Sequence, residues 1–231
     1  MNLDRIFLSE SHPCGKELHY VQHALEAKAI TSGGNVVRDF EEDLECYLGN
    51  NVIVNATNSG TSAIHLGLLL LGVKPGDEVI CQSMTFSASV NPILYIGASP
   101  VFVDSELDTW NMCPIALEEA IQDRISKGKK PKCIIVVDLY GMPYHADRIN
   151  EVANKYGIAV LEDSAEALGS RYKGVPCGTL GDIGVFSFNG NKIITTSSGG
   201  ALLLSDASQK ERAAFLATQA RDAAPYYQHS E

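Results

Sequence analysis

From about Asn51 onward, short apolar runs alternate with stretches whose apolar residues recur every three or four positions. The runs Val52–Ala56, Glu78–Cys81, Pro100–Val103, Cys133–Asp138, Ile158–Leu161, Val185–Phe188 and Ala201–Leu204 predict strands. The continuously apolar, β-branched Cys133–Asp138 reads as a strand covered on both faces. Helical spacing predicts Thr61–Leu71, closed by Gly72, Pro75 and Gly76, and Ser87–Ile96, bent by Pro92. Pro114 opens a helix with an apolar face of Leu117, Ile121 and Ile125, followed by a polar loop at Lys127–Lys132. His145–Tyr156 carries Ala146, Ile149, Ala153 and Tyr156 on one stripe, and Asp206 caps a last helix running through Asp222. The first fifty residues read as helical and peripheral, with a glycine-containing loop at Ile30–Val37. Strands alternating with helices predict an α/β layered fold with a largely parallel sheet, whose active sites lie beyond the carboxyl ends of the strands.

Composition narrows the function classes. The chain has 231 residues, 45% of them hydrophobic, and a formal net charge of -10. That charge argues against nucleic acid as a partner, because phosphates call for a basic footprint. It leaves room for a small phosphorylated ligand, which backbone dipoles can bind on an acidic protein. The six cysteines form no CxxC pair, and His12, His19, His65 and His145 show no HxxxH or HExxH spacing, so no metal site is read. Several cysteines lie in apolar runs and read as small core residues. The longest apolar stretch, Ala63–Val73, is too short to span a bilayer, and Met1–Gly15 has no apolar signal segment, so a cytoplasmic protein is expected.

Four groups at strand ends carry candidate chemistry. Asn58-Ser59-Gly60-Thr61-Ser62 lies between a strand and an apolar helix, where free N–H groups and a flexible Gly60 suit a phosphate. The same residues also suit a plain helix cap by Ser59 or Thr61. Glu162-Asp163 ends a buried strand, where a carboxylate can hold a cationic ring nitrogen, pair with an arginine or cap the next segment. Lys192 stands beside Ile193 and Ile194, and apolar neighbours would desolvate it toward the neutral amine that forms an imine; alternatively it is a surface lysine. Phe86 can stack on a flat heterocycle or fill the core. A phosphate cradle, an aromatic, an acid and a lysine, in that order, together fit pyridoxal 5'-phosphate (PLP). A Rossmann dinucleotide site is disfavoured, because no GxGxxG follows the first strand.

The segments GGNVVRDFEEDLECYLG, NSGTSAIHLGLLLLGVKPGDEVI, SMTFSASVNPILYIGASPVFVD, VDLYGMP, EDSAEALGS and SFNGNKIITTSSGG are similar to those of the DegT/DnrJ/EryC1/StrS sugar aminotransferases, fold-type-I PLP enzymes. The resemblance runs from Ile6 to Glu231 and is nearest to the 4-aminotransferases of UDP-4-keto-6-deoxy-N-acetylglucosamine. It implies a three-layer α/β/α large domain of the aspartate aminotransferase type. It implies that Lys192 is the Schiff-base lysine and catalytic residue, that Asp163 partners the pyridine nitrogen and that Phe86 covers the ring. By the same resemblance Gly60, Thr61, Ser62 and Ser187 hold the phosphate. Glu166 stands near the PLP hydroxyl, where many relatives have Gln. Thr31 and Asn189 match substrate-side positions. The implied reaction moves an amino group from an amino acid, L-glutamate in the family, to a nucleotide-linked 4-keto-6-deoxy sugar, in a homodimer. A C3-dehydrating relative would have His at position 192. Relatives continue past Glu231 into a smaller C-terminal domain, so residues 1–231 are expected to form the PLP-binding large domain, with an N-terminal helical segment over about 1–50. The alternative is an inactive fragment that binds PLP weakly or not at all.

Overall fold

Every predicted apolar run becomes a strand of one sheet. The computed structural model describes residues 7, 9–30, 34–49 and 52–230. In chain order these form α1 (Glu17–Glu26), α2 (Asn35–Leu48), β1 (Ile53–Thr57), α3 (Gly60–Leu70), β2 (Glu78–Gln82), α4 (Asn91–Tyr95), β3 (Ser99–Val103), α5 (Pro114–Ser126), β4 (Cys133–Val137), α6 (Ala146–Tyr156), β5 (Ala159–Asp163), β6 (Arg171–Tyr172), β7 (Val175–Pro176), β8 (Ile183–Ser187), β9 (Gly200–Leu204) and α7 (Ala207–Ala217). The main sheet has seven strands in the order β1-β9-β8-β5-β4-β2-β3. Pairings among β3, β2, β4, β5 and β8 are parallel, while β9 runs antiparallel to both β8 and β1.

Period-two alternation divides the core into two faces. Val79 and Cys81 of β2, Cys133 and Ile135 of β4, Leu161 of β5 and Leu202 of β9 pack with α3 residues Ala63, Ile64 and Leu68. Their strand neighbours Ile80, Ile134, Val136 and Val160 face Leu117 and Ile121 of α5 and Ile149 and Ala153 of α6. Farther along that second face, Phe186, Ala201 and Leu203 meet Leu44 and Leu48 of α2. Three α/β/α layers result, as expected.

Edge strand β1 is closed off by side chains. Glu45 Oε1 accepts the N–H of Val54 at 2.8 Å, and Glu41 Oε1 that of Ala56 at 2.8 Å. Lys210 of α7 reaches both acids, at 3.3 and 3.5 Å. An edge whose donors are already occupied cannot template another strand.

Four expectations need correction. Ser87–Ile96 is not one bent helix: a 3₁₀ turn over Ser87–Ser89 precedes α4, and Pro92 sits in the first turn of α4, where its missing N–H costs nothing. The α5 stripe stops at Ile121, since Ile125 is exposed. Helix α7 ends at Ala217 rather than Asp222, because Gln219 and Ala220 take positive φ of 70° and 50°. The N-terminal part is only half peripheral: α1 buries none of its residues, but α2 belongs to the core. Among the described residues no helix is long and apolar enough to cross a membrane.

Candidate active site

The carboxyl ends of β2, β4, β5 and β8 open into a cavity of about 510 Å³, together with the N-terminus of α3. Gly60, Thr61, Phe86, Asp163, Glu166, Ser187, Asn189 and Lys192 all line it, though far apart in sequence. Ser62 does not line it; its hydroxyl lies 2.9 Å from Ser59 Oγ. Thr31 lies outside the described residues.

Both readings of the α3 start hold at once. Ser59 is the cap, its Oγ accepting the N–H of Ser62 at 3.1 Å. By helix geometry the N–H groups of Gly60 and Thr61 have no intrahelical acceptor, and they sit at the positive end of the helix dipole on the cavity wall. Gly60 is also a packing requirement, because a Cβ there would lie 2.9 Å from Ser187 Cβ. Ser198 and Gly199 complete this side of the wall, and Ser198 donates to the carbonyl of Asn58 at 2.8 Å.

Strand alternation separates the two acids of β5. Glu162 shares a side with Val160 and faces away from the cavity, where it accepts the N–H groups of Gly178, Leu180 and Gly181 at 2.7, 2.7 and 3.1 Å. It is a cap for that turn. Asp163 shares a side with Leu161 and faces the cavity. Its Oδ2 accepts from Ser89 Oγ at 2.6 Å and its Oδ1 from the N–H of Ala165 at 3.2 Å. Burial pushes the Asp163 carboxyl above the ordinary carboxylate range; the Ser89 and Ala165 donors and the Lys192 ammonium pull the other way. A carboxylate accepts about four hydrogen bonds. Asp163 therefore has capacity left inside a cavity, which fits a cationic ring nitrogen.

Lys192 is partly buried, with its side chain 12% exposed, and its Nζ lies 3.3 Å from Glu166 Oε1. The expected cause of that burial is wrong: Ile193 and Ile194 point into solvent, and the cavity wall shields the amine instead. Glu166 Oε2 meanwhile accepts the N–H of Tyr140 at 2.9 Å, so Glu166 ties Lys192 to the loop after β4. Tyr140 holds a positive φ of 53°, unusual for a residue with a side chain. Phe86 is 73% exposed at the cavity mouth, which excludes the core reading. Asn189 is exposed at the same mouth, its amide 3.3 Å from Asn191 Oδ1.

Sequence reasoning missed Ser89, Tyr140 and Ser198 as parts of this wall. It also missed two clusters of ligand-type side chains, Glu106 with Asp108 and His145, and Asp138 with Glu162 and Cys177, which come together only in the fold. Neither lines the cavity.

Comparison with known proteins identifies the family. The model of the DegT/DnrJ/EryC1/StrS aminotransferase family matches residues 14–231, and the chain belongs to that family. EpsN of Bacillus subtilis (strain 168) is 52% identical over 227 residues, covering 98% of this chain and 58% of EpsN. GDP-perosamine synthase of Escherichia coli O157:H7 is 44% identical over 200 residues, covering 86% of this chain and 52% of the synthase. The PLP-form of Spr1654 from Streptococcus pneumoniae superposes with a TM-score of 0.88 at 32% identity, covering 98% of this chain and 61% of that one. The chain thus spans little more than half the length of the relatives it matches.

Proposed function

We propose that this member of the DegT/DnrJ/EryC1/StrS aminotransferase family binds PLP and transfers an amino group from an amino acid, L-glutamate first among candidates, to a nucleotide-linked 4-keto-6-deoxy sugar. The observation that carries this reading is one cavity joining Lys192, Asp163, Phe86 and the N-terminus of α3. The 44% identity to a GDP-perosamine synthase supports a nucleotide-linked sugar as the acceptor. We assign the work to a homodimer, because Phe86, Tyr140, Ile193 and Ile194 leave an apolar rim exposed around the cavity.

The residues present fit PLP. The first turn of α3 and Ser187 would take the phosphate, Phe86 the ring face, Asp163 the ring nitrogen and Lys192 the aldehyde. When bound, PLP supplies an electron sink for bond changes at the amino-bearing carbon. The chain's own groups do the rest. Asp163, ionised, keeps a proton on the ring nitrogen. At 3.3 Å from Lys192, Glu166 orients Nζ and offers a resting place for its charge. Lys192 Nζ then moves a proton to and from carbon as base and acid, a role worth roughly 10²–10⁴-fold in rate. Asn189, at the mouth, faces the sugar.

The test is donor turnover. The chain saturated with PLP should release 2-oxoglutarate from L-glutamate in an amount equal to its sites. Lys192→Ala should abolish that release. A PLP-loaded chain that releases no keto acid from any amino acid would overturn the transfer reading.

A further inference from the structure

One side chain donates to Asp163 among the described hydrogen bonds, and it comes from 74 residues away. Ser89, in the 3₁₀ turn between β2 and α4, is 1% exposed, with its Oγ 2.6 Å from Asp163 Oδ2. Thr85 Oγ1, at the cavity wall, lies 2.7 Å from Ser89 Oγ. A serine hydroxyl has one proton to give. An ionised carboxylate only accepts, so that proton goes to Asp163. The bond between the two hydroxyls then has one direction, with Thr85 donating to Ser89. A donor on the charged form of an acid favours that form, and charge-assisted bonds are about twice as strong as neutral ones.

We propose that Ser89, aligned by Thr85, is the positioning residue of the cofactor site: its hydrogen bond holds Asp163 ionised and in one orientation toward the cavity. This rests on Asp163 being the partner of the ring nitrogen. Neighbouring charge on Asp163 comes from Lys192 and Glu166, and Asp163 in turn acts on Asp138 and the Cys81 thiol. Substitutions at Ser89 and Thr85 leave all four unaltered.

The experiment follows the Asp163 carboxyl by ¹³C NMR in the PLP-free chain labelled at aspartate, with Asp163→Asn to assign the signal. Ser89→Ala should raise the Asp163 midpoint by about one pH unit, equivalent to about 1.4 kcal/mol. Thr85→Val should raise it by less, because Ser89 keeps its own proton. Ser89→Thr, which retains a hydroxyl, should return the midpoint toward wild type. Ser89→Ala should also bind PLP about tenfold more weakly, the same 1.4 kcal/mol expressed as affinity. A midpoint unmoved by Ser89→Ala overturns the positioning role. A midpoint that moves while Asp163→Asn and Ser89→Ala both bind PLP like wild type overturns instead the assignment of Asp163 to the ring, and with it Ser89's place in the cofactor site.

Discussion

Behind Asp163, on the opposite face of the sheet, Asp138 and Glu162 are both buried, and their carboxyls lie within 4.8 Å of each other and of Cys177. Ser164 Oγ bridges them, 2.6 Å from Asp138 and 3.1 Å from Glu162. Burial pushes both carboxyls up, and the nearby Asp138 adds to the rise of Glu162, to about 8. Three backbone N–H groups favour charge on Glu162, whereas Asp138 accepts one, from Tyr144 at 3.1 Å. The pair holds one proton through neutral pH, shared between the two carboxyls. Unfolded, both acids lose their protons in the ordinary carboxylate range, so the folded chain binds more protons above that range. Stability then falls as pH rises from that range through about 8. The urea midpoint should decline across that window, and Asp138→Asn, which keeps the shape of the protonated acid, should flatten the decline. Parallel profiles for the two chains would contradict the shared proton. At this scale Lys192 and Asp163 were legible only together with Gly60 and Phe86, since each alone also read as a structural residue and only their order at strand ends pointed to one cofactor. Ser89 was not, because a serine near a proline resembles any turn residue until the fold lays it on Asp163.

Among the elements, the strands were legible because burial on both faces demands continuous apolar runs, as in Cys133–Val137. The miniature β6–β7 hairpin was invisible, since two-residue strands have no period to detect. Helix α7 was overrun because nothing in Gln219-Ala220 announces a left-handed turn. The junction of β9 with α3 shows how elements build the site. A Cβ on Gly200 would lie 2.4 Å from the carbonyl carbon of Ser59, so only glycine lets β9 start against the cap of α3. Gly200→Ala should push these elements apart, costing about 1–3 kcal/mol by overpacking. Its urea midpoint should fall and its affinity for inorganic phosphate should weaken together. Loss of stability with phosphate binding intact would separate the junction from the cradle.

For the whole molecule, layering was readable from alternation, but strand order was not. Only the fold shows that β9 reverses direction to sit between β1 and β8, which brings Gly199 and Ser198 to the mouth beside Lys192. Hydrophobic period fixes which face a residue takes, not which strand it neighbours, so the joining of four strand ends into one cavity had to come from topology. The resemblance carried the site residues ahead of that topology, and geometry then sorted them: Ser62 off the wall, Thr31 outside the described residues, the others on it. We propose that this cavity holds PLP through Lys192. The most direct measurement adds PLP to the chain, reduces with borohydride, and maps the labelled peptide by mass. A single reduced adduct on Lys192, absent in Lys192→Ala, is the predicted result. No adduct, or labelling spread over exposed lysines, would contradict the account and leave PLP chemistry outside these residues.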